Sequence, residues 1–268
     1  MKQPILIFDS GLGGLSIYKK LKQTLSSEVY YYVSDSKNLP YGELNDTQLI
    51  ELCLPIIMAY VNRLNPQLIV LACNTASTLL LPYLRAQLSL PIVGVIPAIK
   101  PAAQATQTKH IALLATPATI SRNYTQDLIH TFAKDCHVQK IGSSELVQLA
   151  EHKVRHHTFC TQTLKQIIDQ VDPKNDVLVL GCTHFPLLKT EIESLLPKSI
   201  RTIDSGDAIV NRVETLIHTS NDASIQQPDT YCDTQNISTK LKENLKHLGF
   251  EHFQTYVPNA SLFTPELL

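Results

Sequence analysis

Two α/β lobes, each a parallel sheet flanked by helices, with a cleft between them, are the architecture this sequence predicts, and three observations carry the prediction. Short apolar runs rich in Ile, Val and Leu recur along the chain, several apolar at consecutive positions, as strands buried on both faces require. Segments with helical spacing separate them, and strands that alternate with helices form parallel sheets covered by those helices. The third observation is an internal echo. "LIVLACNTA" (68–76) resembles "VLVLGCTHF" (177–185), and "IFDSGLGG" (7–14) resembles "TIDSGDAI" (202–209), so each half holds one strand ending in Asp-Ser-Gly and one ending in Cys.

In chain order, the expected strands are "ILIF" (5–8), "VYYYV" (29–33), "LIVLA" (68–72), "IVGVI" (92–96), "IALLA" (111–115) and "VLVLG" (177–181). Leu15, Tyr18, Leu21 and Leu25 mark a helix after the first strand, and Leu146, Leu149 and Ala150 mark one in the second half. Helix starts are signalled by Asn45 with Gln48, by Ser143 or Ser144 before "ELVQLAEH", and by Gly206 and Asp207 before "AIVNRVETLI". Pro55 and Pro82 fall inside helical segments and are expected to kink or end them. The polar run 219–229 reads as a surface loop. A last strand-helix-strand unit follows it: "TYCDT" (230–234), "STKLKENLKHL" (238–248) and "FQTYV" (253–257).

With 268 residues, 44% of them hydrophobic, the chain can bury a large core in one or two domains. Its 23 basic and 24 acidic residues leave a formal charge of −1 and form no basic stripe, which argues against a nucleic-acid partner. The start "PILIFDSG" places Asp9 and glycines where a secretory signal needs its apolar core, and no apolar run approaches the roughly 18 residues of a membrane span, so a cytoplasmic protein is expected. The cysteines Cys53, Cys73, Cys136, Cys160, Cys182 and Cys232 show neither C-x-x-C pairs nor a zinc-finger pattern, and are read as reduced thiols with no metal.

Cys73 stands where a strand meets a helix opened by Asn74, Thr75, Ala76 and Ser77. The unpaired N–H groups there favour a thiolate and are expected to lower the thiol pKa from about 8.5 toward neutrality. An inert, buried thiol fits Cys73 alone equally well. Cys182, followed by Thr183 and His184, repeats the context, and two unrelated core cysteines have no reason to share it. In a parallel sheet, ligands lie outside the carboxyl ends of the strands, so facing lobes would set Cys73 and Cys182 on opposite walls of one cleft.

Asp9 leads into Ser10, Gly11, Leu12, Gly13 and Gly14, but Ser16 occupies the third glycine position of a dinucleotide loop and the carboxylate would repel a pyrophosphate. A loop whose amides approach a small anion, with Asp9 free for an ammonium group, is the better reading. Two thiols flanking a cleft can remove a proton from one face of a carbon and return one to the other. Donors such as Ser10, Thr75 and Thr183 would stabilise the charge that moves onto a substrate carboxylate, and no cofactor is called for.

These residues lie in motifs that resemble those of the cofactor-independent glutamate racemases of the aspartate/glutamate racemase superfamily. The matching stretches are "FDSGLGGLS" (8–16), "LPYGE" (39–43), "ACNTAS" (72–77), "LLATPATI" (113–120), "ELVQLAE" (145–151) and "LGCTHFPLL" (180–188), in the family's order. The resemblance implies interconversion of L- and D-glutamate, supplying D-glutamate for peptidoglycan, with Cys73 acting on D-glutamate and Cys182 on L-glutamate. It implies that Asp9, His184 and Glu151 assist the thiols. Asp9, Ser10, Tyr41, Gly42, Asn74, Thr75, Thr116, Thr119, Thr183 and His184 would touch substrate, a set without Arg or Lys.

The resemblance further implies one lobe from 1–97 plus 207–268 and another from 98–206. "VIPAIKPA" (95–102) departs from the commoner Val-Ile-Glu-Pro and looks like the branch activated by a peptidoglycan nucleotide precursor; that activation and a homodimer are both left open. Three rivals stand beside this reading: an aspartate racemase, whose relatives usually carry Glu where this chain has His184; a Cys182–His184 thiol hydrolase, which leaves Cys73 idle; and a two-lobed amino-acid-binding protein, which needs no paired thiols.

Overall fold

The computed structural model describes residues 2–217 and 227–256. In chain order the elements are β1 (Ile5–Asp9), α1 (Leu15–Thr24), β2 (Tyr30–Ser34), α2 (Asp46–Leu64), β3 (Leu68–Leu71), α3 (Asn74–Gln87), β4 (Ile92–Gly94), α4 (Ile99–Ala105), β5 (His110–Ala115), α5 (Pro117–Ser121) and α6 (Asn123–Phe132). They continue with β6 (His137–Gly142), α7 (Glu145–His156), α8 (Thr161–Ile168), β7 (Val177–Leu180), α9 (Lys189–Leu195), β8 (Arg201–Ile203), α10 (Gly206–Leu216), β9 (Asp229–Asp233), α11 (Thr239–Lys246) and β10 (Phe250–Thr255).

The strands form two wholly parallel sheets, a six-stranded one in the order β10-β9-β2-β1-β3-β4 and a four-stranded one in the order β6-β5-β7-β8. This is the doubled α/β architecture expected from the alternation of elements. Every residue of β1, β2, β3 and β7 is buried, which explains their uninterrupted apolar runs. The first sheet packs between two apolar layers, one built on Leu15, Tyr18, Leu21 and Val213, the other on Leu49, Ile57, Leu80 and Leu84. The chain passes between the sheets after β4 and again after β8, and Ser205 Oγ donates to the Ile96 carbonyl at 2.5 Å, tying the two passages together.

Local signals explain several helix starts. Asn45 and Gln48 form a reciprocal capping box on α2, with bonds of 2.9 and 3.1 Å. Ser143 rather than Ser144 caps α7, accepting from Leu146 N–H at 3.1 Å. Neither internal proline ends its helix: α2 runs through Pro55 and α3 through Pro82. An internal proline costs about 3 kcal/mol, whereas each fully buried apolar side chain contributes about 1.5–3 kcal/mol. Leu49, Cys53, Ile56, Ile57 and Tyr60 along α2, and Leu80, Leu81 and Leu84 along α3, bury enough surface to outweigh that cost. The last strand begins at Phe250, three residues before the expected start. Most of the expected 219–229 loop, and Val257, lie outside the described residues.

Candidate active site

The carboxyl ends of β1 and β7, strands of different sheets, meet: Thr183, just beyond β7, donates to Asp9, the last residue of β1. Cys73, the N-cap of α3, and Cys182 each follow their strand, β3 and β7, by two residues. Each is only 5% exposed, and they lie close enough for the charge of Cys182 to bear on Cys73.

The expected lowering of the Cys73 pKa is overturned. Its thiol is pushed up to about 12, first by burial, then by the charges of Asp9 and Cys182. The Ala76 N–H and the Ser10 hydroxyl pull the other way and favour a thiolate, as a helix N-terminus should. Desolvation outweighs them because the site is closed.

Asp9 is fully buried at the end of β1. Its Oδ1 accepts from Gly11 N–H at 2.8 Å and its Oδ2 from the Thr183 hydroxyl at 3.1 Å. Burial raises its pKa above the ordinary carboxylate value, against the lowering pull of His184 and these two donors. The glycine loop does present amides to an anion, but the anion is the protein's own: Leu12 N–H donates to Glu151 Oε1 at 2.5 Å. A Cβ on Gly11 would lie 2.3 Å from that same oxygen, and one on Gly13 would lie 2.3 Å from His184 Nδ1. Absent side chains are what let α7 and the Cys182 loop approach β1.

Beside Cys182 runs a chain of polar groups. His184 Nδ1 lies 3.8 Å from Cys182 Sγ, and its Nε2 lies 2.9 Å from Glu151 Oε1. Burial alone would lower the His184 pKa, but hydrogen bonds and charge from Cys182 and Glu151 carry it well above its ordinary value. Burial likewise opposes the Glu151 carboxylate, yet His184, Arg155 and the Leu12 amide lower its pKa overall. Arg155 Nε sits 3.0 Å from Glu151 Oε2, so the order is thiol, imidazolium, carboxylate, guanidinium.

Beside Cys73 the two halves meet through hydroxyls. Thr75 Oγ1 lies 2.9 Å from Thr116 Oγ1 and 3.2 Å from Thr119 Oγ1, and all three side chains are buried. Thr116 caps α5, which fixes the pair on one turn. Gly42 abuts Thr116, while the Tyr41 hydroxyl is taken by Asp35 Oδ2 at 2.6 Å. Asn74 Nδ2 is buried with no hydrogen-bond partner among the described residues, which leaves an amide donor for a bound molecule. No group of three or more metal-ligating side chains occurs among the described residues, and none of their helices is long and apolar enough to cross a membrane.

Sequence reasoning passed over two arginines, Arg155 at the end of the polar chain beside Cys182 and Arg122. Arg122, between α5 and α6, is 9% exposed and donates to the Thr75 carbonyl at 2.5 Å. The available signal for Arg122 was an arginine three residues beyond Thr119, beside a binding set that otherwise holds no Arg or Lys.

The Asp/Glu/Hydantoin racemase family model matches residues 5–213. A glutamate racemase of Shewanella sp. (strain ANA-3) is 49% identical over 86% of this chain and 85% of its own length. One of Shewanella frigidimarina is 46% identical over 94% and 97%. The crystal structure of Escherichia coli glutamate racemase in complex with L-glutamate and activator UDP-MurNAc-ala superposes with a TM-score of 0.88 at 38% identity, covering 95% of this chain and 98% of that one. By its matched span, its relatives and its doubled parallel fold, this chain belongs to the Asp/Glu/Hydantoin racemase family.

Proposed function

We propose that this chain interconverts L- and D-glutamate by proton transfer at Cα between two thiols, without a cofactor, and so supplies D-glutamate for peptidoglycan. The observation that carries the reading is the buried pair Cys73 and Cys182, which end strands of different sheets and face one interior. Similarity to glutamate racemases at 49% identity supports the substrate.

Cys182 takes the Cα proton of L-glutamate while Cys73 delivers one to the opposite face, and D-glutamate reacts in reverse. The thiols have unlike neighbours suited to these tasks: an imidazolium beside Cys182 and a carboxyl group beside Cys73. Asp9 meets the substrate ammonium, and Asn74, Thr75, Thr116, Thr119 and Thr183 donate to its carboxylates, where charge builds as the proton leaves. Both thiols are nearly inaccessible, so entry requires the lobes, taken as 1–97 with 207–268 and 98–206, to part. L-glutamate and the activator UDP-MurNAc-ala in the Escherichia coli relative's structure support a second, regulatory reading, in which UDP-MurNAc-ala raises turnover here as well.

The test is proton exchange in deuterated water, followed by mass spectrometry and chiral chromatography. Either glutamate enantiomer gains deuterium at Cα while becoming the other. If aspartate exchanges and inverts while glutamate does neither, the substrate assignment is wrong. Rates with and without UDP-MurNAc-ala decide the regulatory reading.

A further inference from the structure

Thr75 is held at two of its atoms by one turn of the opposite lobe. Its hydroxyl lies 3.2 Å from Thr119 Oγ1, and its carbonyl accepts from Arg122 Nη1 at 2.5 Å. Thr119 and Arg122 are three residues apart, so a single turn supplies both jaws. The guanidinium reaches further into the first lobe, to Thr78 Oγ1 at 3.3 Å from Nη1 and to Asp46 Oδ1 at 3.1 and 2.9 Å from Nε and Nη2. It therefore joins the first turns of α2 and α3 to the α5–α6 junction. Its exposure is uneven: the Arg122 side chain is 8% exposed, the Asp46 side chain 62%.

A buried guanidinium held by one half-solvated carboxylate and neutral oxygens is a poor way to glue two surfaces permanently, since an apolar pair of equal volume would lose less on desolvation. It suits a contact that must form and break. When the lobes part, the cation returns to water beside Asp46, and when they close, its fork locks onto Thr75.

We propose that Arg122 is a positioning residue that latches the two lobes shut and, by fixing the Thr75 carbonyl, sets the Thr75–Thr116–Thr119 hydroxyls that receive the substrate carboxylate. The proposal rests on the reading of the cleft as a glutamate-racemising site. It concerns closure and binding, so the latch acts mainly on KM and on access to the cleft.

Two measurements on Arg122→Met, Arg122→Lys and Asp46→Asn test it. In steady-state racemisation followed by circular dichroism, Arg122→Met raises KM for both enantiomers about ten- to a hundredfold, as expected for loss of one or two charge-assisted hydrogen bonds, with a fall in kcat smaller than the rise in KM. Arg122→Lys, which keeps the charge but not the fork, falls between it and the parent; Asp46→Asn costs about threefold. The second measurement needs no turnover: maleimide labelling without substrate, with each cysteine quantified by peptide mass spectrometry. Cys73 and Cys182 label about tenfold faster in Arg122→Met, while Cys53 and Cys232, buried within the first lobe, stay protected and exposed Cys160 is unchanged.

Parent-like KM with parent-like protection of Cys73 and Cys182 overturns the latch. So does faster labelling of all the buried cysteines together, which marks general loosening. If Arg122→Met does not fold, the Lys and Asn variants answer both questions. If the parent fails to racemise glutamate, the functional reading falls, and the labelling arms still decide the latch.

Discussion

His184 Nε2 lies 2.9 Å from Glu151 Oε1, and neither side chain is more than 5% exposed. Together with Cys182, the carboxylate raises the imidazole's pKa well above its ordinary value and holds the ring with its other nitrogen turned to Cys182. Glu151→Gln removes the charge but keeps the shape. We expect kcat/KM to fall about a hundredfold, the scale of a general acid–base contribution. Enantiomers are equal in free energy, so the loss must be identical in the two directions. Circular dichroism from each enantiomer checks both points.

Cys73→Ser and Cys182→Ser should each lower racemisation at least about a thousandfold, because in the proposed two-thiol mechanism a hydroxyl would replace a far more acidic thiol as the sole proton carrier of one face. Turnover near the parent rate in either variant would sink the two-base mechanism.

Alkaline pH should destabilise the fold partly through Cys73. Its folded pKa of about 12 lies above the ordinary 9.0, so between these values the folded chain holds a proton that the unfolded chain has lost. Stability is then greatest below pH 9 and falls as pH rises, by about 1.4 kcal/mol per pH unit for this one group. Urea unfolding at pH 8, 9 and 10 should show a shallower decline for Cys73→Ala. Equal slopes would mean that burial does not hold the proton on this sulfur.

Gly13→Ala would force a Cβ into the His184 ring, 2.3 to 2.7 Å from three of its atoms. That ring is fixed by Glu151 and cannot turn aside cheaply, so we expect a cost of about 1–3 kcal/mol in stability and at least a tenfold loss of kcat. Thermal unfolding and racemisation assays on one preparation separate the two effects.

The fold class was legible because strands buried on both faces write themselves as unbroken apolar runs, and because the Cys and Asp-Ser-Gly echoes repeat the strand ends. β6 escaped notice since "HVQKIG" is an edge strand with Ile141 its only fully buried residue. Neither proline ends its helix because burial of a whole helix face exceeds the loss of one hydrogen bond. For Cys73 the helix terminus was read correctly and its consequence was not: the sign of a pKa shift depends on how much water the far lobe excludes, and one strand-helix junction does not encode that. Arg122 was missed for a related reason, as its partners Asp46 and Thr75 lie 76 and 47 residues away.

The order of strands also governs when the cleft can come into being during synthesis. The four-stranded sheet is built from one contiguous stretch, β5 to β8, whereas β2 pairs with β9 across almost two hundred residues, Tyr31 opposite Thr230. The half-sheet carrying Asp9 and Cys73 therefore leaves the ribosome with the β2 edge unpaired, and must wait for nearly the whole chain before β9 and β10 cover it. A nascent chain halted before β9 should hold a finished second lobe and a first lobe that depends on chaperones, with the two thiols not yet brought together.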